Sequence, residues 1–352
     1  MRPIIGYIIT AAFAGLNAVT ISVLGFAPQA VVTTSVAHQP AAPHPQSVSI
    51  MFVGDLMLDR HVREWMSSSG PEYPFARLGT ITGAAPPDLL VGNLEGAISI
   101  RRPPEKSIDF AFDASVAPLL RKNGFGAFSL ANNHSLDQGF PGYEDTKKRL
   151  ADAGLSYFGH QVKDDLPATI REAKGRRVAL FGYNITDNPL EEKVAAKAIK
   201  DARGSADLVM VMMHWGTEYD LKQNSAQSAL AHRLIDYGAD AVIGAHPHVV
   251  QGLEIYKSKP IIYSLGNFIF DQYFSDDTQQ GIAVAFTFGN KTTLTVIPVA
   301  IVQSQPRRME GEPARKFLTA LLGRSVISKD ILSGSVDHLI RGLDRGVLVL
   351  TW

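Results

Sequence analysis

Seven residues of the types that bind cations or move protons each follow a short apolar run: Asp55, Glu95, Asn133, His134, His214, His246 and His248. Taken singly each has an ordinary reading. A buried His is commonly a hydrogen-bonded core residue, and an Asp after Gly54 is a turn former or helix cap. Taken together they gather ionisable groups at a cost that something must offset. A pair of divalent cations does so. Without any Cys in the chain, the donors are nitrogen and oxygen only, a set that suits Zn, Mn or Fe, and also Co, better than Ca. Glu95 has two oxygens able to bridge two ions, and Asn133 offers a neutral carbonyl oxygen. Two ions about 3.5–4 Å apart would lower the pKa of a bridging water and hold both oxygens of a displaced ester. In His246-Pro247-His248 an extended backbone would point both imidazoles to one side. Pro247 cannot join a sheet ladder, which places the pair at or past a strand end. Gly244 would let the chain approach the site closely.

The elements that must position these side chains are strands that stop at them. Ser49–Val53, Asp88–Val91, Ala127–Ala131, Leu208–Met213 and Ala241–Gly244 are apolar runs of strand length, each ending at one of the polar clusters. Helical stretches lie between them at Tyr143–Ala153, Glu191–Ala202 and Ala226–Tyr237. Apolar strands alternating with helices predict an α/β sheet covered on both faces, whose strand carboxyl ends form the ligand site. Past Gly252 the pattern changes to successive strands at Pro260–Phe270, Ile282–Phe288 and Thr293–Val302, with a hairpin turn at Gly289-Asn290. Helices are expected near Ala314–Leu322 and Ser335–Leu343. The remaining histidines, at 38, 44, 61, 160, 232 and 338, are read as surface or linker residues.

The 352 residues carry 34 Lys+Arg and 34 Asp+Glu, so net charge is zero, which argues against non-specific nucleic-acid binding. The absence of Cys removes disulfides, thiolate zinc sites and cysteine nucleophiles. Arg2 precedes an apolar stretch from Ile4 to Ala27, which reads as a secretory signal or membrane anchor over residues 1–37. Pro40, Pro43 and Pro45 make 38–46 an extended linker. The folded domain is expected at 47–304, outside the cytoplasm, followed by a tail at 305–352 that packs on it.

At these residues the chain closely resembles the CapA family of poly-γ-glutamate capsule biosynthesis proteins, whose domain is related to calcineurin-like metallophosphoesterases. The matching blocks are Gly-Asp-Leu-Met-Leu (54–58) with Arg60, Asn-Leu-Glu-Gly (93–96), Leu-Ala-Asn-Asn-His-Ser-Leu-Asp-Gln-Gly (130–139), His-Trp-Gly-Thr-Glu-Tyr (214–219), the stretch 235–252 that contains Gly-Ala-His-Pro-His, and Tyr-Ser-Leu-Gly-Asn-Phe-Ile-Phe-Asp (263–271). The resemblance implies a four-layer αββα fold with two divalent metal ions. It puts Asp55, Glu95, Asn133, His214, His246 and His248 on ligand positions. His134 falls where related phosphoesterases keep a His near the substrate phosphate, a candidate general acid. Two positions depart from ordinary metallophosphoesterases. Met57 stands where they carry a His, and Glu95 where they carry a bridging Asp.

The substrate side is less determined by the pattern. Arg60 either clamps an anionic group or pairs with Asp59 or Glu64. Trp215 and Glu218 line the cleft or orient His214, whereas Asn267 and Asp271 read as turn residues. Two functions fit. One is an exported, metal-dependent phosphoesterase-type hydrolase. The other is a protein that handles an acidic polymer such as poly-γ-glutamate, beside a membrane synthase or export complex.

Overall fold

The computed structural model describes residues 47–83, 85–102, 107–328, 331, 342 and 345–352. The expected targeting segment and linker lie outside the described residues, as does all but one residue of the helix expected at 335–343. No helix among the described residues is long and apolar enough to cross a membrane.

In chain order the strands are β1 (Val48–Leu56), β2 (Leu89–Leu94), β3 (Ala97–Ile98), β4 (Ala111–Phe112), β5 (Ala127–Ser129), β6 (Ser156–Phe158), β7 (Thr169–Ala173), β8 (Arg176–Asn184), β9 (Leu208–His214), β10 (Ala241–Ala245), β11 (Leu253–Tyr256), β12 (Lys259–Ile262), β13 (Asn267–Ile269), β14 (Gln280–Phe288), β15 (Thr292–Val302), β16 (Gln305–Arg308) and β17 (Leu348–Thr351). The main helices are α1 (Arg60–Ser69), α2 (Gly79–Thr82), α3 (Val116–Lys122), α4 (Gly139–Asp152), α5 (Glu192–Ala202), α6 (Ser225–Tyr237) and α7 (Gly311–Gly323). They make a mixed α/β fold with two large sheets.

The first sheet runs β16-β15-β14-β1-β2-β5-β6, with β13 beside β1 and β17 beside β15; the second runs β11-β12-β10-β9-β8-β7. Strands β1, β2, β5 and β6 are mutually parallel, as are β8, β9, β10 and β12. Such strands need both faces covered. Accordingly all seven residues of β9 are buried. One apolar cluster joins Ile50, Phe52 and Val91 of the first sheet to Leu180, Met210 and Ile243 of the second. A second packs Met51, Val53 and Leu90 of the first sheet against Val62 of α1, Leu120 of α3 and Leu150 of α4. A third packs Val209 and Val211 of the second sheet against Ile199 of α5 and Leu234 of α6.

Two expectations need correction. The strand ends belong to two sheets, not one. The apolar stretch Pro260–Phe270 is also not one strand: β12 lies in the second sheet and β13 in the first. Ser264 and Gly266 make the crossing, because Gly266 (φ 68) takes a left-handed conformation that side chains resist. Helix α6 lies close to its predicted position, held by a capping box in which Asn224 and Gln227 exchange hydrogen bonds. Helix α1 was missed. It buries only Val62, so its apolar stripe is too thin to read.

Candidate metal centre

The carboxyl ends of the two sheets meet at the site. Asp55 lies near the end of β1, in register with Asn93 of β2 and Asn267 of β13. Its backbone N–H donates to Gly266 O at 3.1 Å. Gly54 makes this approach workable, since a Cβ there would sit 1.8 Å from Gly266 O. Glu95 follows β2, Asn133 and His134 follow β5, His214 ends β9, and His246 and His248 follow β10.

Asp55, Glu95 and His248 each turn a ligand atom inward, all within 4.8 Å of one another, and all three side chains are buried. His248 Nδ1 lies 3.0 Å from Asn267 Oδ1. The Asn267 amide is oriented by its Nδ2, which donates to Gln272 Oε1 and Thr278 O. Its oxygen therefore faces His248, which places a proton on Nδ1 and directs Nε2 into the cluster. Asp55 Oδ2 is 3.2 Å from the same Nδ1, but that N–H is already committed to Asn267, and Oδ2 has no hydrogen-bond partner. Glu95 Oε1, 3.6 Å from His248 Nε2, likewise has none.

His214 and Asn133 form the adjoining half. His214 Nε2 lies 2.8 Å from Asn133 Oδ1, and its ring centroid is 4.7 Å from that of His246. The His246 Nδ1 is buried without a hydrogen-bond partner. Asn93 ties the halves together. Its Nδ2 is 2.8 Å from Asp55 Oδ1, 3.2 Å from Glu95 Oε2 and 3.4 Å from His214 Nδ1. Asn132 donates to Asn93 Oδ1 and to Leu94 O, and accepts from the His134 N–H. Hydrogen bonds and ring contacts thus link Asp55, Glu95, Asn133, His214, His246 and His248 into one connected group.

The electrostatics follow from this packing. Burial pushes the Glu95 carboxyl well above its usual range, and the Asp55 charge adds to the effect. Burial pulls His248 down, but Glu95 and Asp55 outweigh it and hold the imidazole at about 9. Both upward shifts express one fact: two buried carboxylates beside an imidazole retain a shared proton. His246 is lowered to about 4 by burial and by His248. His214 is lowered well below its usual range by burial and its neighbouring imidazoles.

The backbone is strained here. His246 (φ 95) and His248 (φ 58) are both left-handed, so the expected extended His-Pro-His segment is corrected to a bend. Tyr219 (φ 68) and Arg60 (φ 48) share this feature. Such conformations cost about 1–3 kcal/mol each in non-glycine residues and cluster at functional sites.

His134 is nearly buried. Its Nδ1 is 2.8 Å from Asp137 Oδ2, and its ring lies 4.4 Å from that of Phe110. Arg60 pairs with Asp271 through two guanidinium nitrogens, not with Asp59 or Glu64. The Arg60 guanidinium lies over Phe110 and Phe270, 5.0 and 5.7 Å from their centroids. Those rings touch His134 and His248. Arg60 therefore brings its charge to the edge of the cluster.

Three other expectations change. Trp215 is fully buried, donates from Nε1 to Tyr263 O at 2.9 Å and packs in the cluster beneath α5 and α6. Gly244 provides close approach to Tyr263 O and Trp215, not to the site. His160 is buried rather than superficial. Glu218 is exposed, and its charge acts on Glu95, His246 and His248. Sequence reasoning passed over Asn93, Asn132 and Asp137 and read Asn267 as a turn. All four lie in the matched blocks, within three residues of an expected site residue or, for Asn267, beside Gly266.

A divalent ion fits this donor set. Three buried donor atoms (Asp55 Oδ2, Glu95 Oε1 and His246 Nδ1) have no hydrogen-bond partner, which is costly unless a further group satisfies them. The Nε2 of His248 faces Glu95 Oε1 at 3.6 Å, and Oδ1 of Asn133 faces His214 Nε2 at 2.8 Å.

The family described as "Bacterial capsule synthesis protein PGA_cap" matches residues 49–272. The chain is 32% identical over 287 residues to the capsule biosynthesis protein CapA of Bacillus anthracis, covering 74% of this chain and 69% of that one. It is 29% identical over 281 residues to the PGA biosynthesis protein CapA of Bacillus subtilis (strain 168), covering 74% and 73%. Among solved structures, a hypothetical protein from Thermus thermophilus aligns at TM-score 0.42 and 18% identity over 74% of this chain and 96% of that one.

Proposed function

The chain belongs to the PGA_cap family of bacterial capsule synthesis proteins, and we propose that it serves the production of capsular poly-γ-glutamate in the cell envelope. In this reading Asp55, Glu95, Asn133, His214, His246 and His248 hold two divalent ions, of Mn, Zn or Fe type by their donor chemistry. The carrying observation is the buried Asp55–Glu95–His248 group, with two carboxylate oxygens that have no hydrogen-bond partner and lie beside the His248 imidazole. Three apolar clusters, one between the sheets and one outside each, support a four-layer αββα arrangement of metallophosphoesterase type. Residues 47–304 are read as the metal-holding domain, residues 305–352 as a tail packed on it, and residues 1–37 as the segment that exports or anchors it.

Bound ions supply Lewis acidity toward an anionic oxygen. The chain's own residues do the rest. Asn267 fixes the His248 tautomer, and Asn93 orients Asp55 and Glu95. Asp137 accepts from His134 Nδ1–H, which makes Nε2 the nitrogen that holds or delivers a proton. Arg60, held over two rings at the edge of the cluster, draws a carboxylate of an acidic polymer toward the ions. Glu218 stands at the exposed side, where its charge repels an anion that arrives off register.

The test is genetic and chemical. A strain lacking the gene is complemented with wild type, Glu95→Ala or His246→Ala, and surface polymer is measured as glutamate released by hydrolysis. Wild type restores the polymer and the variants do not, although immunoblots show that all accumulate. Equal restoration by the variants would overturn the reading.

A further inference from the structure

A cavity lies between α7, the end of β15 and the loop that precedes β14. It has a volume of about 450 Å³ and an apolar floor that includes Met309 and Phe317. That is within the range of roughly 300–1,000 Å³ usual for small-molecule sites. Four charged residues line it: Asp276 and Asp277 from the loop, Lys316 and Arg324 from α7 and its end. None of the four takes part in the chemistry described above.

Arg324 is the unusual member. It is partly buried, and its Nε is shielded from solvent without any hydrogen-bond partner. Burial holds the guanidinium below its usual range, with the Asp277 charge opposing. Such a group normally finds an anion. Asp277 is near enough to influence it, yet no ion pair joins the two among the described residues. The aspartates sit on a loop with internal support. Thr278 Oγ1 donates to Gln272 O at 2.8 Å, Gln279 and Gln280 N–H groups donate to the carbonyls of Asp276 and Asp277, and Gln279 O accepts from Ile301 N.

The lining charges sum to zero, two acidic and two basic, so half of the wall repels a simple ion of either sign. A ligand with both charges and an apolar chain complements all of it. We propose that this cavity binds a zwitterionic amino acid with an aliphatic side chain: carboxylate on Arg324 and Lys316, ammonium on Asp276 and Asp277, and side chain on Met309 and Phe317. The site is independent of the metal-centre reading.

Isothermal titration calorimetry on the full-length protein tests this with three probes of equal chain length: norleucine, hexanoate and hexylamine. Norleucine should bind saturably with a low-millimolar or tighter dissociation constant, and each single-charge probe about tenfold or more weaker, for loss of one charge-assisted contact. Arg324→Gln and Asp277→Asn should each weaken norleucine by a similar factor. Asp277 is exposed, so its variant keeps the fold even if the Arg324 variant does not. Absence of saturable heat from norleucine at tens of millimolar would overturn the proposal. So would hexanoate or hexylamine matching norleucine, or an Asp277→Asn protein that binds as wild type does.

Discussion

Loading the protein with Mn or Zn at pH 7 should expel about one proton, and its source is the Asp55–Glu95–His248 cluster. The apo imidazole of His248 sits at about 9, so at pH 7 about 99% of it is protonated. An ion on its Nε2 requires the neutral ring. The proton must leave, at a cost of two pH units or about 2.7 kcal/mol, and apparent metal affinity should rise about tenfold per pH unit from 6.5 to 8.5. His214 and His246 add nothing to this count, because burial and their neighbours already hold them neutral. Calorimetric titration with the metal in two buffers of different ionisation enthalpy, such as PIPES and Tris, reads the proton number from the difference in heat. Identical heats, together with an affinity flat across that pH range, would refute the assignment of the shared proton to this cluster and of His248 to the ion.

Three further outcomes follow from the same geometry. Gly54→Ala should destabilise the fold by about 1–3 kcal/mol or more, since the new Cβ meets backbone rather than a yielding side chain; a denaturant midpoint within error of wild type would contradict this. Trp215→Phe removes the donor to Tyr263 O and strands a buried carbonyl, so stability should fall by about 1–3 kcal/mol while metal content, measured by mass spectrometry, stays unchanged. In the metal-free protein His246 should weaken stability in acid, while the raised Glu95 carboxyl acts in the opposite sense. His246 falls from 6.5 unfolded to about 4 folded, so its contribution is complete above pH 6.5 and is lost as pH drops toward 4. That is about 3 kcal/mol from this residue alone, to be read as the difference between wild type and His246→Gln in urea titrations at pH 7 and pH 4.5.

The residue types at the centre were legible in the chain, because each candidate ligand follows an apolar run and such runs become buried strands. Helices α4, α5 and α6 were legible for a similar reason, having apolar stripes or a capping pair written locally. Nothing local, however, says which sheet a buried strand joins. Runs covered on both faces look alike, so β1 and β9 could not be assigned to different sheets until their partners were known. The same limit explains Trp215: its position beside His214 in sequence points it, by strand alternation, into the helix-covered core instead of the cleft. The left-handed bend at His246-Pro247-His248, the partnership of Asn267 with His248 and the pairing of Arg60 with Asp271 across 211 positions are all long-range decisions. They depend on which backbones come close enough to exchange hydrogen bonds, and only the packed chain determines that.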